Sequence, residues 1–110
     1  MAKYHNTPVV IDGLRFDSKR ELARYRELVL LRDAGVISDL VIHPRYTVMD
    51  GYNRKDGTHV TAITYTGDFE YIENGQKVVE DVKGVETQVF RIKRKLFERC
   101  YPGIDFRIVR

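Results

Sequence analysis

Asn74-Gly75 stands between two runs rich in β-branched and aromatic residues. A type I′ turn needs φ > 0 at both central positions, which Asn and Gly tolerate, so this dipeptide predicts a two-residue β-hairpin. The turn then fixes the register. Glu73 faces Gln76, Tyr71 faces Val78, and Asp68 faces Asp81. Side chains paired in this way share a face, with Cβ atoms about 4.5–5.5 Å apart, and like charges so placed destabilise a sheet. Two compensations are open. The pair can lie on a solvated face with a Lys for each carboxylate, or it can hold a divalent cation, the usual partner of clustered oxygen donors. Lys83 falls on the same face, opposite Thr66, and Val79 shares that face, which argues for half-burial. The other face of the first strand, Ile63, Tyr65, Phe69 and Tyr71, is apolar. A bulge or longer loop would bring Glu80 rather than Asp81 into line.

The remaining punctuation is also by turn dipeptides. Val9–Ile11 and Leu14–Phe16 flank Asp12-Gly13 as a small N-terminal hairpin. Asp17-Ser18 starts a helix that runs to about Ala34 and is closed by Gly35. Val36–Met49 reads as extended but irregular, interrupted at Pro44, and a strand follows from Thr58 to Glu73. Lys77–Lys83 is the return strand, a second helix covers Glu86 to Tyr101, and Asp105–Val109 is a last strand. The predicted order, hairpin then αβββαβ, is an α/β or α+β sandwich around a small mixed sheet.

With 110 residues the chain is expected to form a single domain over residues 1–110. No apolar run approaches the roughly 18 residues of a membrane span. Met1 to Asn6 has no apolar core of a secretory signal. Cys100 stands alone, so no internal disulfide or cysteine-based zinc site is available, and a cytosolic setting is expected. The net charge of +3 conceals a segregation: +3 over residues 1–55, −5 over 56–86 and +5 over 87–110. An acidic middle between basic flanks suits a protein that binds a polyanion and keeps a carboxylate-rich spot for a cation, although it also describes ordinary solvated surface.

On a helical wheel the second helix collects Val89, Phe90, Ile92, Leu96, Phe97, Cys100 and Tyr101 on one face. Lys93 falls within that stripe, where it either snorkels past the core or reaches the acidic sheet face. On the first helix Leu22, Tyr25, Leu28 and Val29 form the inward face and Glu21 lies on it. Ser18-x-x-Glu21 is also a capping box, and the two roles are compatible. His5, His43 and His59 have no spacing that suggests a metal pair, and surface or loop positions are expected for them.

Asp68, then Asp81-Val82-Lys83 across a hairpin, resembles the PD-(D/E)XK nuclease motif, with Gly67 in place of the motif's proline. Glu21 matches the additional acid of the Holliday-junction-resolvase-like and RecB-like branches. The segments Ile11–Glu21, Tyr65–Phe69 and Glu80–Gly84, with Lys93–Phe97, are similar to a family of small phage and prophage proteins, described as of unknown function or as endonucleases. The resemblance covers nearly the whole chain. It implies a restriction-endonuclease-like fold and metal-assisted hydrolysis of DNA phosphodiesters. Asp68 and Asp81 would hold Mg²⁺ or Mn²⁺, with the Val82 carbonyl and Glu21. Lys83 would orient the attacking water or stabilise developing charge, and Lys93 would contact a neighbouring phosphate. Lys19, Arg20 and Arg24 on the first helix and Arg91, Arg94 and Lys95 on the second would grip the DNA backbone.

So short a chain leaves little room for base-reading elements, so branched or junction DNA is the expected substrate rather than a specific duplex sequence. Cutting two strands implies a homodimer, with residues 36–53 or the N-terminal hairpin as interface. The competing readings are a nicking or packaging-linked nuclease, a non-catalytic nucleic-acid-binding module of the same fold, and an interaction protein with an acidic hairpin. The expected setting is the cytoplasm of a bacterial cell, on a phage or prophage gene.

Overall fold

The structure, a computed structural model, describes residues 8–110. The readings made for Met1–Asn6 and His5 lie outside the described residues. Strands β1 (Val9–Ile11) and β2 (Leu14–Phe16) form the expected hairpin. Asp12 and Gly13 both take positive φ, as the tight turn requires. Helix α1 (Lys19–Asp33) begins at Ser18, whose hydroxyl accepts the Glu21 N–H, and ends at Gly35 in the left-handed conformation.

The extended stretch after α1 divides at His43-Pro44 into β3 (Ile37–Ile42) and β4 (Arg45–Met49). Short strands β5 (Tyr52–Asn53) and β6 (His59–Val60) form an exposed hairpin arm. Then come β7 (Ile63–Thr66), β8 (Phe69–Glu73) and β9 (Gln76–Val82), helix α2 (Gln88–Cys100), and β10 (Asp105–Val109). The central sheet has the order β10-β9-β8-β3, with β10 parallel to β9 and the other pairs antiparallel. The core thus runs α1, β3, β8, β9, α2, β10. This is the αβββαβ order expected, in an α+β fold whose mixed sheet is flanked by helices.

The Asn74-Gly75 hairpin has the expected register: Tyr71 pairs with Val78 and Glu73 with Gln76. The strand expected over Thr58–Glu73, however, is three strands. The chain switches partners at Gly67-Asp68, because β7 pairs with β4 while β8 pairs with β3 and β9. The switch also reverses the faces. Phe69 and Tyr71 pack with Phe16, Leu28, Ile37 and Val78 on the α1 side. Tyr65 packs with Val48, Val79, Phe90 and Phe97 on the α2 side, with Ile63 against that cluster. The single apolar face assigned to Ile63, Tyr65, Phe69 and Tyr71 is therefore two half-faces, and both sides of the sheet are covered. Burying apolar surface on each side at about 25 cal/mol per Å² stabilises a small sheet that one helix alone would leave half wet.

Helix α2 is rotated relative to the expected stripe. Phe90 and Phe97 are buried and Lys93 and Arg94 half-buried, whereas Val89, Ile92 and Cys100 are exposed. The aromatic cluster of Tyr46, Tyr65, Tyr101 and Phe106 around Phe97 sets this rotation. It turns Lys93 towards the sheet.

Candidate functional site

The partner switch between β7 and β8 builds the site. Gly67 donates its N–H to the Pro44 carbonyl (2.9 Å), Asp68 donates to Glu80 (3.0 Å), and His43 donates to Asp68 (2.9 Å). A Cβ at Gly67 would stand 3.0 Å from a Val79 methyl, close enough that the buried Val79 side chain would have to give way. The regular ladder ends at Phe69–Glu80, one pair short of the expected Asp68–Asp81 pair. Released from the ladder, the Asp68 carboxylate turns along β9 and accepts the Val82 N–H at 2.6 Å. Val82 thus meets Asp68 through its amide N–H.

Asp81 is buried beside it. Tyr65 donates its hydroxyl to Asp81 Oδ2 at 2.5 Å, and the Lys83 ammonium lies 3.3 Å from Oδ1. Lys83 is further held 4.6 Å from the centre of the Phe90 ring, a cation–π contact. These groups line an open cleft with Thr64, Thr66, Thr87 and Lys93, so helix α2 brings its lysine to the same cleft as Asp81 and Lys83. From the opposite side α1 presents Glu21, which is only 3% exposed. One Glu21 oxygen accepts the Asp17 N–H (3.4 Å) and the other lies 2.6 Å from His43 Nε2. The cap and the inward-facing acid are one residue.

Glu21, His43 and Asp68 each offer a ligand atom, all within 4.8 Å of one another. Asp68 therefore joins two clusters, Glu21 with His43 on one side and Asp81 with Lys83 on the other. Burial raises the Asp68 carboxyl to about 8, and the neighbouring Asp81 and Glu21 carboxylates add to the rise. The Val82 N–H and Lys83 oppose it without cancelling it. Burial and Asp81 push the Tyr65 phenol far above its usual range, so it remains a donor.

A stability–pH relation follows. Between about pH 4 and pH 8 the unfolded Asp68 carboxyl is ionised while the native one keeps its proton. The native state then binds more protons, so stability falls as pH rises through that window and levels off above it. Melting curves in EDTA at pH 5, 6.5 and 8 should show this fall, and Asp68→Asn should flatten it. Added divalent cation should raise the melting point most at pH 8, where it displaces the fewest protons. A profile identical in the native protein and the variant would contradict the assignment.

Glu80, the alternative to Asp81, is removed from the site. It is fully buried on the α1 side, where Arg24 grips it with two hydrogen bonds of 2.8 and 2.6 Å and Tyr71 donates to it. Arg24, expected on nucleic acid, is thus committed to the core, and its guanidinium is held well above its ordinary range by that bond to Glu80. Arg94 is likewise turned inwards, over the Phe106 ring at 5.2 Å and 3.5 Å from Glu98. Lys19, Arg20, Arg91 and Lys95 are exposed as expected, with the Arg20 guanidinium close to Gly84. Sequence reasoning missed His43 and Tyr65. His43 sits at a chain break flagged by Pro44, but its nearness to Glu21 depends on the β3–β4 turn, which periodicity does not place.

No curated protein and no solved structure matches the chain. A family model matches residues 1–110, and the chain belongs to that family, described as a protein of unknown function (DUF1064).

Proposed function

We propose that this chain is a divalent-metal-dependent endodeoxyribonuclease of the PD-(D/E)XK kind. The observation that carries the reading is the convergence of Asp68, Asp81 and Lys83 with Glu21 from α1 and Lys93 from α2. Burial and the neighbouring Asp81 and Glu21 carboxylates raise Asp68, so the cluster is short of a positive charge, and its oxygen donors suit Mg²⁺ or Mn²⁺. Glu21, Asp68 and Asp81 would hold the ion. When bound it supplies Lewis-acid polarisation of a phosphate and a water of lowered pKa.

The protein's own groups do the rest. Lys83, fixed between Asp81 and the Phe90 ring, presents an ammonium that orients a water or meets charge developing on the phosphate. Lys93 on the cleft wall meets an adjacent phosphate, and Arg20, Arg91 and Lys95 hold the backbone without reading bases. That contact set favours branched or junction DNA over a specific duplex sequence, and a homodimer would place two such clefts on two strands. No helix among the described residues is long and apolar enough to cross a membrane. The proposed setting is the bacterial cytoplasm, as a phage or prophage product.

The test is cleavage of a labelled four-way junction, a linear duplex and a single strand with Mg²⁺, Mn²⁺ or EDTA. Cutting should need the metal and should fall by about 10²-fold or more in Asp81→Ala and in Lys83→Ala. The junction should be cut in preference to the linear substrates. Binding of DNA by folded protein with no cutting under any condition would replace this reading with a non-catalytic binding module.

A further inference from the structure

We propose that His43 is itself a metal ligand. Glu21, His43 and Asp68 then supply two oxygens and a nitrogen to the same ion that Asp81 helps to hold, and the site prefers Mn²⁺ to Mg²⁺. The inference rests on the metal-dependent reading above and adds to it the identity of a ligand and of the ion. In an octahedral site with bonds of about 2.1 Å, neighbouring donors lie about 3 Å apart and opposite ones about 4.2 Å. His43 Nε2 is 2.6 Å from Glu21 Oε1, and all three donor atoms fall within 4.8 Å. One ion could engage them with side-chain adjustment alone.

The imidazole is also fixed at its root. The His43 N–H is bonded to the Asp68 carbonyl, and the next residue, buried Pro44, accepts the Gly67 N–H. The strands that deliver Asp68 therefore also set the position of His43. His43 keeps φ at +53°, a conformation that Gly or Asn would adopt more cheaply in a plain turn. The ring packs near Phe16, with centroids 6.3 Å apart.

The donor set decides the ion. Mg²⁺ keeps to oxygen ligands and gives up its waters reluctantly, whereas an imidazole nitrogen suits first-row transition ions, with Mn²⁺ the hardest of them. The competing role for His43 is to hold Glu21 in place by a hydrogen bond without touching the ion. That role would weaken both ions alike when His43 is lost.

Calorimetric titration of Mn²⁺ and of Mg²⁺ into metal-free protein separates the two roles. The native chain should bind Mn²⁺ more tightly than Mg²⁺. His43→Gln, which offers an oxygen donor of similar reach, should lose about 10–100-fold in Mn²⁺ affinity and much less in Mg²⁺ affinity. His43→Ala should do the same, with circular dichroism showing that both variants remain folded. Pulsed electron paramagnetic resonance of the Mn²⁺-loaded native protein should show coupling to a directly bound nitrogen, absent from His43→Gln. Equal loss for both ions, or nitrogen coupling that is missing in the native protein or persists in the variant, overturns the assignment of His43 alone. A native chain that binds neither ion overturns the metal-dependent reading on which it rests.

Discussion

Asp68→Asn should abolish metal-dependent DNA cleavage and, at pH 8 in EDTA, melt at a higher temperature than the native protein. The two effects share one cause. The native carboxyl is held up to about 8 by burial and by Asp81 and Glu21, so its ionised form is disfavoured in the metal-free fold. An amide has no charge to desolvate. Its oxygen can still accept the Val82 N–H, now received at 2.6 Å, and its NH₂ can donate towards the carboxylates that the native group repels. Stability therefore rises, while the site loses the acid shared by its two clusters. The cleavage rate should fall by at least about 10²–10³-fold, the scale seen when one preorganised electrostatic group is removed. Differential scanning calorimetry and a cleavage time course on the same preparation make the comparison. A variant both inactive and less stable would identify Asp68 as a structural tie to β9, and its inactivity would then say nothing about the chemistry. Gain of stability on loss of function is what a site built for function at the expense of the fold should show.

The same residue marks how far the sequence could be read. The Asn74-Gly75 register holds as far as Phe69–Glu80, because a two-residue turn propagates its pairing through a regular ladder. The bounds of α1 were legible from local chemistry, with Ser18 as cap and Gly35 as terminator, whereas α2, expected from Glu86, starts at Gln88 behind a Thr87 cap that the sequence reading did not name. The switch of partners at Gly67 was not legible. It is enforced by main-chain bonds to Pro44 and Glu80, which are distant in sequence and carry no side-chain signature. The rotation of α2 escaped for a similar reason. The wheel ranks residues by polarity, but the aromatic cluster around Phe97 decides which face meets the sheet, and it leaves Val89 and Ile92 outside. At the site itself, Glu21, Asp68, Asp81, Lys83 and Lys93 were identified by residue type and spacing. His43 was not, since its place follows from a left-handed turn between two strands that pair with different partners.

The largest expected loss of stability comes from a residue whose charge made it look like a DNA contact. Arg24→Met should destabilise the fold by about 3–5 kcal/mol, because it leaves the Glu80 carboxylate buried with only Tyr71 as partner. The native pair is a bidentate fork, with Nε and Nη2 on the two carboxylate oxygens, and Glu80 has no exposed surface through which water could take over. For a domain of this size that loss lowers the melting point by more than about 10 °C. The double change Arg24→Met with Glu80→Met should recover most of it, since an apolar pair of similar volume carries no desolvated charge. A urea-melt cycle of the two single variants and the double variant measures the coupling. DNA affinity supplies the control. Arg24→Met, assayed below its melting point, should bind DNA as the native chain does. Arg91→Ala with Lys95→Ala should weaken binding and shallow its salt dependence without moving the melting point. If Arg24→Met instead weakened DNA binding with the fold intact, the guanidinium would be reaching the substrate, and Glu80 would be serving to aim it.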